Sequence, residues 1–225
     1  MKKNCNSANI TMREYERTLM YNDIEVLFLS IKYPQINIAC ANAEKYINKQ
    51  IAMNINEYIK YVNYLYDMAV EGYKNARTNN YPFNIYNAYM VHEITYNENC
   101  FLSMYIDKYE YTGGAHGTTE RSSNTWELWN GVNLSLSNFF KPGTDYKRFL
   151  IEEITRQADY NNRKDPYLYF DDYRALIIKN FNEDSFYLTP DGITIYYQQY
   201  DIGPYVSGII EFTIPYSLIK WYPNC

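Results

Sequence analysis

Along residues 43–69, Ala43, Ile47, Ile51, Ile55, Tyr58, Val62, Leu65 and Ala69 recur at steps of four and three. Such a stripe predicts an amphipathic helix over about residues 39–76. The stretch before it, IEVLFLSIKY at 24–33, is a nearly continuous apolar, β-rich run ended by Pro34. It reads as a strand covered on both faces. After the helix the period drops to two. In FNIYNAYMVHEITY, residues 83–96, the positions Tyr86, Ala88, Met90, His92, Ile94 and Tyr96 share one strand face. A strand over 101–111 follows the polar break Asn97-Glu98-Asn99, with Cys100, Leu102, Met104 and Ile106 alternating toward its core face.

Beyond residue 117 the signals are short. Asn130-Gly131 between TERSSNTWELW and VNLSL predicts a tight hairpin with a type I′ turn. Lys141-Pro142-Gly143 breaks the chain, and helices are expected from near Asp145 and over about 172–181. FYLT, a Pro190-Asp191-Gly192 turn, ITIYYQQ and IIEFTIPYS complete a β-rich end. The expected fold is α+β: a long helix packed on an antiparallel sheet (residues 22–116), then a second α+β part with hairpins and two helices (residues 117–225). The two are expected to interlock as one unit.

Twenty-eight tyrosines, 47% apolar residues and a mean hydropathy of −0.52 describe a folded, soluble chain rather than a disordered one. The net charge of −5 with no Lys/Arg cluster argues against nucleic acid as a partner. MKKNCNSANITMREYE has no apolar stretch of leader length, and no run of transmembrane length follows, so neither an export signal nor a membrane span is expected. Four cysteines without C-x-x-C spacing give no zinc site. Cys40 and Cys100 read as small core residues, and the terminal pair Cys5 and Cys225 as one that a bridge can join.

Candidate chemistry is sparse. His92 lies in an apolar row and reads as a core residue. In TGGAHG, the residues Gly113, Gly114, His116 and Gly117 resemble a phosphate loop only superficially: an extended Thr/Ser strand follows, not a helix. They read as architecture, with Gly114 at positive φ and His116 pinning the crossing by buried hydrogen bonds; Asn130 and Gly131 read as turn residues. Two histidines more than 20 residues apart offer no metal-ligand spacing, so no metal or cofactor is expected. No nucleophile signature is present, so a hydrolase acting on wall or sugar esters through His116 is the alternative to a non-catalytic protein. The expected contact surface is QQYDIGPYVSG, where Tyr200, Asp201, Pro204, Tyr205 and Ser207 form a proline-stiffened aromatic loop after a strand.

TGGAHG before a Thr/Ser strand, with FYLTPDGITIYYQQYDIGPYVSGIIEFTIPYSLI, resembles the paired domains of unknown function in the ectodomains of bacterial lysozyme-sensing anti-sigma factors. The same pair resembles the non-catalytic region preceding some peptidoglycan deacetylase domains. The resemblance spans roughly residues 22–221. It implies an N-terminal part carrying the long helix and a C-terminal part shaped like a fragment of the actin-like ATPases. It also implies an extracytoplasmic binding module for lysozyme, or for a wall glycan. A basic enzyme would suit the acidic, tyrosine-rich surface. This sequence shows neither a sigma-binding segment nor deacetylase metal ligands, so only the binding module carries over. With no export segment seen, a cytoplasmic location stays open.

Overall fold

The computed structural model describes residues 5–225. The long apolar stripe becomes α1 (Ala41–Asn79), whose 39 residues extend about 58 Å at 1.5 Å per residue. It joins β2 (Ile24–Asn37) to β3 (Tyr86–Glu98), which lie side by side and parallel from Leu27 opposite Tyr86 to Lys32 opposite Val91. The sheet expected to be antiparallel is therefore mixed. A helical crossover returns the chain to the end it left, whereas a hairpin reverses it.

Three antiparallel partners complete this sheet: β1 (Asn9–Tyr21), β4 (Phe101–Tyr111) and β5 (Thr118–Glu127), in the order β1-β2-β3-β4-β5. β5, expected to open the C-terminal part, is thus an outer strand of the first sheet. β2 also continues through Pro34, which lies past the last rung shared with β3 and opposes Met12 of the edge strand β1.

The tight turns fall elsewhere than expected. Asn22-Asp23 (φ 48° and 62°) joins β1 to β2 and Asn99-Cys100 (φ 51° and 69°) joins β3 to β4, with positive φ at both central residues as a type I′ turn requires. At Asn130-Gly131 only Gly131 has positive φ, at 74°. The chain does reverse there, Gly131 N–H donating to the Glu127 carbonyl at 2.8 Å and Glu127 N–H to the Val132 carbonyl at 3.0 Å. Asn130 braces the turn through Glu127 and the Val132 amide. A Cβ on Gly131 would sit 2.9 Å from the Cα of Ala43, so tertiary contact with the start of α1 shapes this loop.

The second part contains α2 (Tyr146–Lys164), α3 (Tyr173–Lys179) and an antiparallel sheet β6 (Phe186–Leu188), β7 (Gly192–Tyr197), β8 (Ile210–Pro215). Its core gathers Leu150, Ile154, Ile177, Ile193, Phe212 and Ile214. α1 covers one face of the five-stranded sheet, burying Ile47, Ile51, Val62 and Leu65 on Leu29, Met90, Leu102 and Met104. The opposite face of β4 and β5 carries the second part. There the Ser103 hydroxyl accepts from the Leu188 N–H at 2.9 Å and Ser123 donates to the Phe186 carbonyl, so side chains of one sheet satisfy the open edge of β6.

A bulge between Ile94 and Tyr96 breaks the expected single face of β3. Residues through Ile94 point at α1, whereas Tyr96 turns into the second core. The cysteine reading also changes. Cys5 is bonded to Cys40 and Cys100 to Cys225, with Cα–Cα separations of 6.2 and 5.2 Å. Cys100 is a turn residue, not a member of the β4 face, and the turn geometry presents its side chain to the C-terminal segment.

Candidate functional site

The two segments singled out in the sequence meet. The His116 ring stacks on that of Tyr205, centroids 3.8 Å apart and planes 23° from parallel, and Tyr200 leans on Tyr205 at 6.0 Å. Two consecutive glutamines build this contact. Leaving β7, Gln198 accepts the Arg121 N–H at 2.9 Å and donates to the Arg121 carbonyl at 2.7 Å, while Gln199 accepts the Thr119 N–H at 2.7 Å. Side-chain amides thus occupy the outer edge of β5 where another strand would pair, and they carry the 200–208 loop to the glycine segment.

The five loop candidates divide by use. Asp201 accepts the Gln198 N–H at 2.8 Å and its carbonyl accepts from Asn180 at 2.6 Å; burial holds its carboxyl above the usual carboxylate range. Ser207 donates to the Leu168 carbonyl at 2.7 Å, and Pro204 leads into the single 3₁₀ turn Tyr205–Ser207. Those three shape the loop. Tyr200, 50% exposed, and the half-buried Tyr205 lie beside the exposed Val206, an apolar neighbour that sequence reasoning passed over.

The glycine segment differs from expectation. Gly113, not Gly114, has positive φ, at 86°. At Gly117 a Cβ would lie 2.4 Å from both the Glu110 carbonyl oxygen and the Tyr109 ring, so only glycine lets β5 start so close to β4. His116 is exposed, not buried, and its Nδ1–H donates to the adjacent Gly117 carbonyl at 3.0 Å. Its apolar contact, the Tyr205 ring, replaces the expected buried hydrogen-bond network.

The other histidine is the core residue that the pattern implies. His92 Nδ1–H donates to the Lys32 carbonyl at 3.0 Å, and Nε2 is buried with no partner among the described residues. Burial, reinforced by Lys108, lowers its pKa to about 4, so the ring is neutral.

Between the sheets lies a cluster that no local motif announces. Arg121 makes a two-pronged contact with Asp107 at 2.6 and 2.7 Å, a further one with Glu211, and lies 3.6 Å from the centre of the Tyr105 ring. Tyr187 donates to the same Glu211 at 2.8 Å. One buried guanidinium therefore joins β5, β4 and β8. On the α1 side of β4 and β5 opens a cleft of about 420 Å³, where Tyr61 donates to Glu110 at 3.0 Å. Burial, with Glu110 adjacent, pushes the Tyr61 phenol up to about 12 and raises the Glu110 carboxyl. Among the described residues no group of three or more His, Cys, Asp or Glu side chains is arranged to hold a metal ion, and no helix is long and apolar enough to cross a membrane.

Two family models match in tandem. Residues 21–119 match the family described as Deacetylase PdaC, and residues 137–217 match the Protein of unknown function (DUF3298). The chain is 25% identical over 122 residues to the peptidoglycan-N-acetylmuramic acid deacetylase PdaC of Bacillus subtilis (strain 168). That alignment takes in 53% of this chain and 25% of the relative, so the chain spans about a quarter of the curated protein it matches. A crystal structure of a DUF3298 family member from Bacteroides fragilis superposes with a TM-score of 0.69 at 24% identity, covering 97% of this chain and 94% of that one. One from Pseudomonas aeruginosa PAO1 gives 0.65 at 16% identity, covering 100% and 98%. At these identities the two structures establish the fold. The matches fit the expected pair of domains known beside a deacetylase.

Proposed function

We propose that this chain is a non-catalytic binding module of the cell envelope, and that it grips a basic wall-associated protein of the lysozyme kind with the Tyr200–Tyr205 loop. The His116–Tyr205 stack carries this reading. Tyrosines on a loop whose backbone is already tied down by Gln198 and Gln199 lose little entropy on binding, which is how interface anchors gain affinity. A net charge of −5 favours a basic partner. Two disulfides suit an oxidising compartment outside the cytoplasm. The deacetylase of Bacillus subtilis, whose name places it on peptidoglycan, supports a wall-related setting through a quarter of its length.

A hydrolase built on His116 would need a nucleophile at the imidazole. Its polar partner among the described residues is instead the Gly117 carbonyl, and one ring face lies against Tyr205. Calorimetric titration with a basic lysozyme tests the proposal. Tyr205→Ala should weaken binding by about 2 kcal/mol, roughly thirtyfold, with the circular dichroism spectrum unchanged. Absence of heat with the wild type removes lysozyme as the partner. Ester turnover that disappears in a folded His116→Ala variant would establish the hydrolase instead.

A further inference from the structure

We propose that the cleft between α1 and β5 is a second binding site, for an amino-sugar oligomer bearing free ammonium groups. It lies on the α1 side of β5, is lined by no residue of the 200–208 loop, and rests on its own residues. The 420 Å³ cleft and an adjoining one of about 270 Å³ share Glu57 and Lys108, forming one groove along the helix. One wall is the α1 row Gln50, Asn54, Glu57 and Tyr61; the other is the β5 row Thr118, Glu120, Ser122 and Asn124.

Three features select the ligand class. First, the side chains of Gln50, Asn54, Glu57, Glu120, Ser122 and Asn124 line the groove, and among the described residues none of them is spent on a hydrogen bond within the fold. Their donors and acceptors face the open space, as hydroxyl recognition requires. Polar groups on successive helical turns recur about every 5.4 Å, close to the rise of one hexose, and those on alternate strand residues about every 6.7 Å. Second, Tyr61 puts an exposed ring on the groove wall, backed by the buried Tyr58 at 6.4 Å, and the exposed Tyr64 extends the aromatic row along α1 just beyond the groove at 6.0 Å. Flat aromatic faces suit the C–H faces of pyranose rings. Third, the groove sets three carboxylates, Glu57, Glu110 and Glu120, against one ammonium, Lys108. That balance favours a cation and disfavours a carboxylated sugar. A basic peptide would meet the charge requirement, but an extended peptide binds by adding to a strand edge, and the outer edge of β5 is occupied at Thr119 and Arg121 by the two glutamines.

Titration of the whole chain with a β-1,4-linked glucosamine tetramer at pH 6, where its amines are charged, tests this site. The N-acetylated tetramer and spermine serve as the neutral-sugar and sugar-free cation probes. The glucosamine tetramer should bind at least tenfold more tightly than either. The isosteric surface double variant Glu57→Gln/Glu120→Gln should lose at least tenfold of that affinity, and Tyr61→Ala should weaken it as well, with circular dichroism and melting temperature retained. No binding of the glucosamine tetramer, an N-acetylated tetramer that binds equally well, or spermine that matches it would each overturn the proposal. Binding kept in the double variant but lost in Tyr205→Ala would place the sugar on the aromatic loop and overturn it too.

Discussion

Gln198 grips Arg121 by both backbone groups, accepting its N–H at 2.9 Å and donating to its carbonyl at 2.7 Å. A primary amide can present donor and acceptor side by side, so it imitates one residue of a neighbouring strand. The next residue repeats half of the device at Thr119. Gln198→Ala should therefore cost about 2 kcal/mol, since it leaves the part-buried Arg121 N–H without its acceptor and the Arg121 carbonyl with only the long contact from the Tyr196 hydroxyl at 3.4 Å. It should also loosen the His116–Tyr205 stack. Urea denaturation gives the first effect; faster hydrogen exchange at the Arg121 and Thr119 amides gives the second. Unchanged exchange at both would show that the loop is held by other contacts.

His92 supplies a pH dependence. Its folded-state pKa of about 4 lies below the ordinary 6.5, so folding favours the neutral ring. This contribution is complete above pH 6.5 and is lost as pH falls from there through about 4. At 1.36 kcal/mol per pH unit the full loss approaches about 3 kcal/mol. In a His92→Leu variant the slope of stability between pH 6.5 and 4 should flatten by about one proton. Identical slopes in the two proteins would show that other groups govern this range.

Gly117→Ala should destabilise by about 2 to 4 kcal/mol. The added methyl meets the Glu110 carbonyl, a backbone group that cannot rotate away, and the Tyr109 ring. Gly114→Ala, with no atom nearer than 4.0 Å to its Cβ, should leave the melting temperature within a degree or two. Equal melting temperatures in the two variants would contradict the close approach of β5 to β4.

These residues show what a sequence discloses. The α1 stripe and the alternation on β3 and β4 were legible because a helix or strand buried on one face repeats a local period. β1 was not: both its faces are largely exposed, and charges at Arg13, Glu14, Glu16 and Arg17 break the apolar alternation. The aromatic loop and the glycine segment could each be found in isolation, yet nothing local says that His116 meets Tyr205. Their pairing follows from Gln198 and Gln199 on a distant strand. The same holds for Arg121, whose partners come from β4 and β8, and for the cysteines, whose connectivity spacing alone cannot choose. Asn130-Gly131 illustrates the converse, a strong local turn signal reshaped because Gly131 abuts Ala43.

The Cys100–Cys225 bond closes 125 positions of chain into a covalent ring that holds β4, β5 and the whole second part. A protease meeting this surface would find Tyr167, 85% exposed, in the connection between α2 and α3. A cut there hydrolyses one peptide bond and releases no fragment, because the new ends remain tethered through the ring and through the packed core. Nicked protein would migrate as a single species until a reductant separated the pieces. In a protease-rich setting the aromatic loop would stay in place after damage that would dismantle an open chain.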